Sequence, residues 1–343
     1  MVIAVNITST EAYQQFIYET FSRITAQHPE HYFIFIFDKP FNLPFGISEN
    51  VVTVLIPPAK ISLFSRLINN GKISSLLKKY KADVFVTKKS FLQTTVPQCL
   101  IAYDTFTSRD LKKVSEIVTT SEFSKKEIIE KNNIDGSRID VVYTGVNESF
   151  QQITVEEKEK IKQQYANGHE YFLVIGTIPE DKFLILLKAF SLFKKMQKSN
   201  MQLLVVLAKG ISKELIEALR LFKFNSEVKM LDHTDEKENV RITGSAYAYV
   251  HLLKYEYLYA LNSMSCYVPV IAGNTGVVPE ICNNSALYFN YNEYKEIADK
   301  MMLIYKDENL RKQLIENGRV HVKKYSWDKT ASLLWKSIEK ACL

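Results

Sequence analysis

Short apolar runs alternate with amphipathic helical stretches down this chain, and no other feature limits its fold as strongly. Residues 2–7, 32–37, 51–56, 84–87, 99–103, 116–120 and 139–143 read as strands. Helical segments lie between them at 11–27, 62–68, 73–80 and from a Ser121 cap through 131. Strands separated by helices return to a sheet by crossing over, so this half predicts a mostly parallel sheet with helices on both faces. The polar, helix-prone stretch 151–170 then marks a boundary, and the alternation starts again. Strands at 171–175, 203–207, 228–231, 246–252, 268–272 and 286–289 interleave with helices at 182–197, 213–223 and 257–265, and three helices (294–305, 308–324, 328–340) end the chain. The expected fold is α/β, two doubly wound Rossmann-like domains (1–150 and 151–325) facing a cleft, with any ligand at the carboxyl ends of the strands.

Composition narrows the functions. No apolar run approaches the ~20 residues of a spanning helix, and residues 2–7 read as a strand where a leader would be basic and then apolar, so a cytoplasmic protein is expected. Cys99, Cys266, Cys282 and Cys342 lie far apart with no C-x-x-C pair and read as reduced thiols. The six histidines read as scattered, so neither a metal site nor a cofactor is expected. The chain lacks G-x-G-x-x-G, G-x-x-x-x-G-K-[ST] and G-x-S-x-G, which leaves dinucleotide oxidoreductases, P-loop NTPases and serine hydrolases without support. Residues 60–89 hold eight basic side chains against one acid, Asp83, among apolar residues such as Leu63 and Phe64. A basic, partly apolar helix there suits an anionic membrane surface; no basic-aromatic interleaving accompanies it, so nucleic acid is not expected.

The stretch from Lys254 to Glu280, KYEYLYALNSMSCYVPVIAGNTGVVPE, has the outline of an anion site. An apolar strand runs into a loop from Gly273 to Gly276, and a helix opens near Val277 with Pro279 in its first turn, where a missing N–H costs nothing. Such a unit offers free backbone N–H groups and the positive end of a helix.

Several segments together resemble the retaining glycosyltransferases of family 4, the group 1 enzymes with the GT-B fold. Thr120-Ser121-Glu122-Phe123-Ser124-Lys125 and Val141-Val142-Tyr143-Thr144-Gly145-Val146-Asn147 look like the family's S-x-F-S-K and V-x-Y-N-G-V-D segments. Pro269-Val270-Ile271-Ala272, Gly276 and Pro279-Glu280 look like its P-V-I-A and G-x-x-P-E donor segment. Tyr325-Ser326-Trp327 resembles the segment whose helix, 326–343 here, crosses back to the first domain. The resemblance implies metal-independent hexosyl transfer from a nucleotide-diphosphate sugar to a saccharide or lipid-linked acceptor, and the basic stretch 60–89 would place the chain at the inner face of a membrane. The resemblance assigns Lys182 to the diphosphate, Asn262 to the ribose, and Asn274, Thr275, Gly276 and Val277 to phosphate or sugar hydroxyls, with Glu280 orienting the loop.

The chain also departs from that pattern. The family's E-x7-E pair falls on Lys254 and Asn262, or on Glu256 for the first carboxylate when the strand end at Val250 anchors the alignment. The arginine that usually precedes the lysine is Asp181, the His-Asp pair near the reacting sugar is Tyr103-Asp104, and the glycine-rich first loop is Asn6-Ile7-Thr8-Ser9-Thr10. Tyr255, Tyr257 and Tyr259 read as exposed aromatics that fill the donor cleft or face a partner. The alternative reading is an inactive scaffolding subunit of the same fold beside a partner glycosyltransferase.

Overall fold

The computed structural model describes residues 1–7, 11–39, 49–57, 65–88, 92–102, 109–207, 212–232 and 234–343. The chain divides into two compact units: Met1–Gly145 with Tyr325–Leu343, and Val146–Lys324.

The first unit contains β1 (Val2–Ile7), α1 (Glu11–Gln27), β2 (Tyr32–Phe37), β3 (Val51–Leu55), α2 (Ser65–Lys79), β4 (Val84–Thr87), β5 (Gln98–Ala102), β6 (Glu116–Thr119), α3 (Glu122–Asn132) and β7 (Ile139–Val141). The seven strands form one sheet in the order β3-β2-β1-β4-β5-β6-β7, every pair parallel. Ile3, Val5, Phe33, Phe35 and Val86 meet α1 residues Phe16, Ile17 and Phe21 in a core that excludes water. Ser121 caps α3 by accepting from the Ser124 amide at 3.0 Å, as expected for a hydroxyl at that position. The two helices expected at 62–68 and 73–80 are one helix, α2. Gly71 lies within it in open space, so the Asn69-Asn70-Gly71 break costs helix propensity without ending the helix. The basic stretch 60–89 is described only in part; Lys72, Lys78, Lys79 and Lys81 are exposed.

The helix Trp327–Ala341 completes this unit. Ala331, Leu334, Trp335, Ile338 and Ala341 enter its core. Thr330 donates to the Tyr143 carbonyl at 2.8 Å, and Lys340 binds Glu116 at 2.9 Å and Asp140 at 3.0 Å. Burial pushes the Glu116 carboxyl up, and the Lys340 ammonium works against that shift. Gly145 meets the start of the helix so closely that an added Cβ would lie 2.4 Å from the Trp327 backbone nitrogen.

The reading of the histidines as scattered needs correction. His28, Glu30 and His31 share the turn between α1 and β2, with their ligand atoms within 4.8 Å of one another. The sequence H-P-E-H is compact enough for the turn to fold all three onto one side.

The second unit runs α4 (Val155–Ala166), β8 (Tyr171–Gly176), α5 (Glu180–Gln197), β9 (Gln202–Leu207), α6 (Lys213–Arg220), β10 (Val228–Asp232), α7 (Glu236–Ser245), β11 (Ala248–His251), α8 (Leu258–Ser265), β12 (Val270–Gly273), α9 (Val278–Cys282), β13 (Ala286–Phe289), α10 (Tyr294–Lys306) and α11 (Glu308–His321); the helix Trp327–Ala341 is therefore α12. Its six parallel strands are ordered β10-β9-β8-β11-β12-β13. The polar stretch at 151–170 folds as α4, closed at its start by a reciprocal cap between Thr154 and Glu157. Strands such as YFLVIG are buried along their whole length because helices cover both faces. Among the described residues no helix is long and apolar enough to cross a membrane, and the four cysteines are unpaired.

Candidate functional site

The strand order reverses between β8 and β11, and the chain segments leaving the carboxyl ends of β8, β11 and β12 are knitted together there. β8 ends in Gly176 at φ +133°, where an added Cβ would lie 2.6 Å from Leu253 Cδ1, 3.5 Å from Tyr259 Cε2 and 3.6 Å from a Glu256 carboxylate oxygen. The segment after β11 therefore folds across the end of β8, bringing the exposed Glu256 carboxylate with it. The next contact is with the loop after β12. Gly276 takes φ +81°, and a Cβ there would stand 2.2 Å from the Lys254 carbonyl oxygen, which accepts from the Val277 N–H at 3.0 Å. A left-handed backbone and so close an approach require glycine.

Lys182, on the first turn of α5, is positioned by residues that follow β13. Its ammonium stands 4.4 Å from the Tyr291 ring centroid and 2.6 Å from Asn292 Oδ1, with Asp181 at 3.2 Å. Tyr291 packs on Gly273, where a Cβ would approach its ring to 2.6 Å, and its hydroxyl donates to the Leu252 carbonyl. Burial, aided by the Asp181 carboxylate, pushes the Tyr291 phenol up to about 12. Lys182, Lys254, Glu256 and Gly276 thus gather at three adjacent strand ends.

Some expected roles change. The Val277 amide is engaged by Lys254, and the Asn274 amide donates to the Phe289 carbonyl at 2.8 Å, because both hold the loop in shape. The amides of Thr275 and Gly276 have no partner among the described residues. The helix after the loop, α9, is only five residues long, so these two amides rather than a long helix dipole are what the loop offers an anion. Asn262, on α8, is buried with its Oδ1 unpartnered among the described residues, a deficit of about 1–3 kcal/mol that a ligand donor would relieve. Glu280 is half-buried on α9, one residue past Pro279. Tyr257 is buried, not exposed, and stands at the N-cap of α8, where its carbonyl accepts from the Ala260 and Leu261 amides; Tyr255 lies beneath the Lys254 ammonium, 5.0 Å away. Asp104 and Tyr103 lie outside the described residues. Tyr291 and Asn292 escape a reading of sequence, since nothing local ties them to Lys182; Gly176 carried a signal as a glycine closing an apolar strand.

A buried pair holds the floor of this region. His251 Nε2 is 2.8 Å from the Leu253 carbonyl and Nδ1 is 3.1 Å from the Tyr249 hydroxyl. The carbonyl only accepts, so Nε2 carries the hydrogen and Nδ1 receives the one from Tyr249. Burial holds the imidazole down to about 4. Its folded value lies below its unfolded one, so the unfolded chain takes up a proton first as pH falls. Stability is intact above pH ~6.5 and declines towards pH ~4, by up to roughly 3 kcal/mol. In His251→Gln the loss of stability between pH 7 and 4.5, read from urea unfolding, is expected to be smaller by about 2–3 kcal/mol; equal losses in both proteins would refute this account.

Residues 155–321 match the family described as Glycosyl transferases group 1. O-antigen chain mannosyltransferase B from Escherichia coli is 24% identical over 217 residues, 62% of this chain and 57% of the relative, so the chain matches little more than half of that protein's length. A glycosyltransferase from Rickettsia africae ESF-5 shares the fold at a TM-score of 0.79 and 17% identity, over 99% of this chain and 98% of that one. HepE from Anabaena, solved with UDP and glucose, does so at 0.78 and 13%, over 98% and 99%. The two Rossmann-like sheets are the GT-B architecture, and the second unit carries, from α4 to α11, the region that matches the group 1 glycosyltransferases.

Proposed function

We propose that this chain is a retaining hexosyltransferase that moves a sugar from a nucleotide-diphosphate donor to a saccharide or lipid-linked acceptor without a metal ion. The observation that carries the reading is the gathering of Lys182, Lys254, Glu256 and the open amides of Thr275 and Gly276 at the ends of β8, β11 and β12. In this reading Lys182 stands where charge develops on the departing diphosphate, and the loop amides hold phosphate or sugar oxygens. Asn262 accepts from a ribose hydroxyl, Glu256 borders the sugar, and Glu280 orients the loop. A neutral amide in place of a carboxylate at Asn262 weakens that ribose contact from about 1.5–3 to about 1 kcal/mol, roughly a tenfold loss of affinity. The similarity to an O-antigen mannosyltransferase and to a structure holding UDP supports a nucleoside diphosphate hexose as donor.

Calorimetric titration with UDP and GDP tests the donor site. One nucleotide is expected to bind, and Asn262→Leu to weaken it about fivefold while leaving stability unchanged or higher, since it removes an unsatisfied buried acceptor. Silence with both nucleotides would end this reading. The exposed Lys72, Lys78, Lys79 and Lys81 support work at an anionic membrane face, which salt-sensitive co-sedimentation with anionic vesicles would check.

A further inference from the structure

His28, Glu30 and His31 belong to the first unit, at the amino end of its sheet, and none takes part in the candidate functional site. One Glu30 carboxylate oxygen lies 3.6 Å from His28 Nδ1 and 3.3 Å from His31 Nε2. These contacts are long for charge-assisted hydrogen bonds, which run at about 2.7–2.9 Å. They do fit the edges of a tetrahedral centre, since bonds of about 2.0–2.1 Å place neighbouring ligand atoms roughly 3.4 Å apart.

The rings are held in place before any ion arrives. The His28 imidazole stacks on Trp335 of α12 at 3.9 Å and 18°, and the His31 imidazole stacks on the same indole at 5.1 Å and 20°. Trp335 is itself buried in the core. The other ring nitrogen of His31 is fixed by the Met1 nitrogen at 3.1 Å. The exposed Glu30 carboxylate adds a negative charge that offsets part of an ion's charge. Two imidazole nitrogens and one carboxylate favour zinc, nickel or copper over magnesium or calcium, which prefer oxygen.

We infer that His28, Glu30 and His31 form a binding site for one divalent transition-metal ion, with water completing its coordination. The alternative is a surface network of hydrogen bonds and ion pairs that holds no metal.

The full chain, stripped of metal with a chelator, is titrated with zinc chloride by calorimetry, and separately with nickel chloride while tryptophan emission is followed. One zinc per chain is expected. His28→Ala and His31→Ala are each expected to weaken binding by more than roughly tenfold, the loss that even a supporting residue around a metal causes. Nickel is expected to quench emission, and Trp335→Phe to remove most of that quenching while zinc still binds one to one. Trp327 is the remaining tryptophan and serves as the internal control. Absence of zinc binding, or binding that His28→Ala and His31→Ala leave unchanged, would overturn the assignment. Far-ultraviolet circular dichroism confirms that each variant is folded before its titration is read.

Discussion

Gly276→Ala is expected to abolish nucleotide binding and lower the melting temperature by several degrees, while the same change at Gly71 raises it. At Gly276 the backbone is left-handed, which costs an alanine about 1–2 kcal/mol. The new methyl would also sit 2.2 Å from the Lys254 carbonyl oxygen, a backbone atom that cannot swing away. Moving it breaks the Val277-to-Lys254 hydrogen bond and shifts the Thr275 and Gly276 amides together, so an overall loss of about 3 kcal/mol follows. Gly71 is exposed within α2 with no atom within 4 Å of an added Cβ, and alanine there is expected to stabilise by about 0.5–1 kcal/mol. Thermal unfolding of both variants and nucleotide titration of the first give the comparison. Normal nucleotide affinity in Gly276→Ala would remove this loop from the donor site.

Lys182→Met is expected to reduce kcat/KM for the donor by roughly 10²–10³-fold, the scale on which loss of one preorganised group at a developing charge is felt. The chain should remain folded, because Lys182 lies at the start of α5 and Tyr291 keeps its own anchor on Leu252. Asp181 sharpens the test. Its carboxylate lies 3.2 Å from the Lys182 ammonium and competes with a diphosphate for that charge. Asp181→Asn is therefore expected to improve donor affinity several-fold, about 1 kcal/mol for unit charges ~4 Å apart in water. Initial rates with a nucleotide sugar, together with titration of the free nucleotide, separate binding from chemistry. Unchanged rates in Lys182→Met would withdraw the lysine from the mechanism.

The alternation of elements was legible in the sequence because strands buried on both faces are written as unbroken apolar runs, as in β2 (YFIFIF) and β8. α7 was not legible. Its sequence EKENVRITGS is polar and ends in weak helix formers, and packing from outside the segment supports it: Tyr165 donates to Glu238 at 2.7 Å and Tyr171 to the Ile242 carbonyl at 2.5 Å. The break expected in α2 rested on propensity alone, which about 1 kcal/mol at one glycine does not decide. At the site, the loop PVIAGNTGVVPE announces itself through its glycines and proline. Its internal bonding does not, so the amides of Asn274 and Val277 looked open until Phe289 and Lys254 were seen to hold them. Tyr291 and Asn292 come from beyond β13, and only the fold brings them to Lys182.

α12 is the last helix in the sequence, yet it lies in the core of the first unit beside Phe16 and Phe33. During synthesis the ribosome therefore delivers the whole second unit before the helix that covers β4, β5 and β6 exists. The contiguous second unit can close its core on emergence, while the first waits with an apolar sheet face open to chaperones and to other nascent chains. The entropy of joining ends so far apart grows only slowly with the length between them, so the delay is a matter of timing and not of final stability. Removal of Trp327–Ala341 would strip the first unit of its cover and leave the group 1 region intact, so a chain cut just before Trp327 is expected to lose its first unit while the second stays folded.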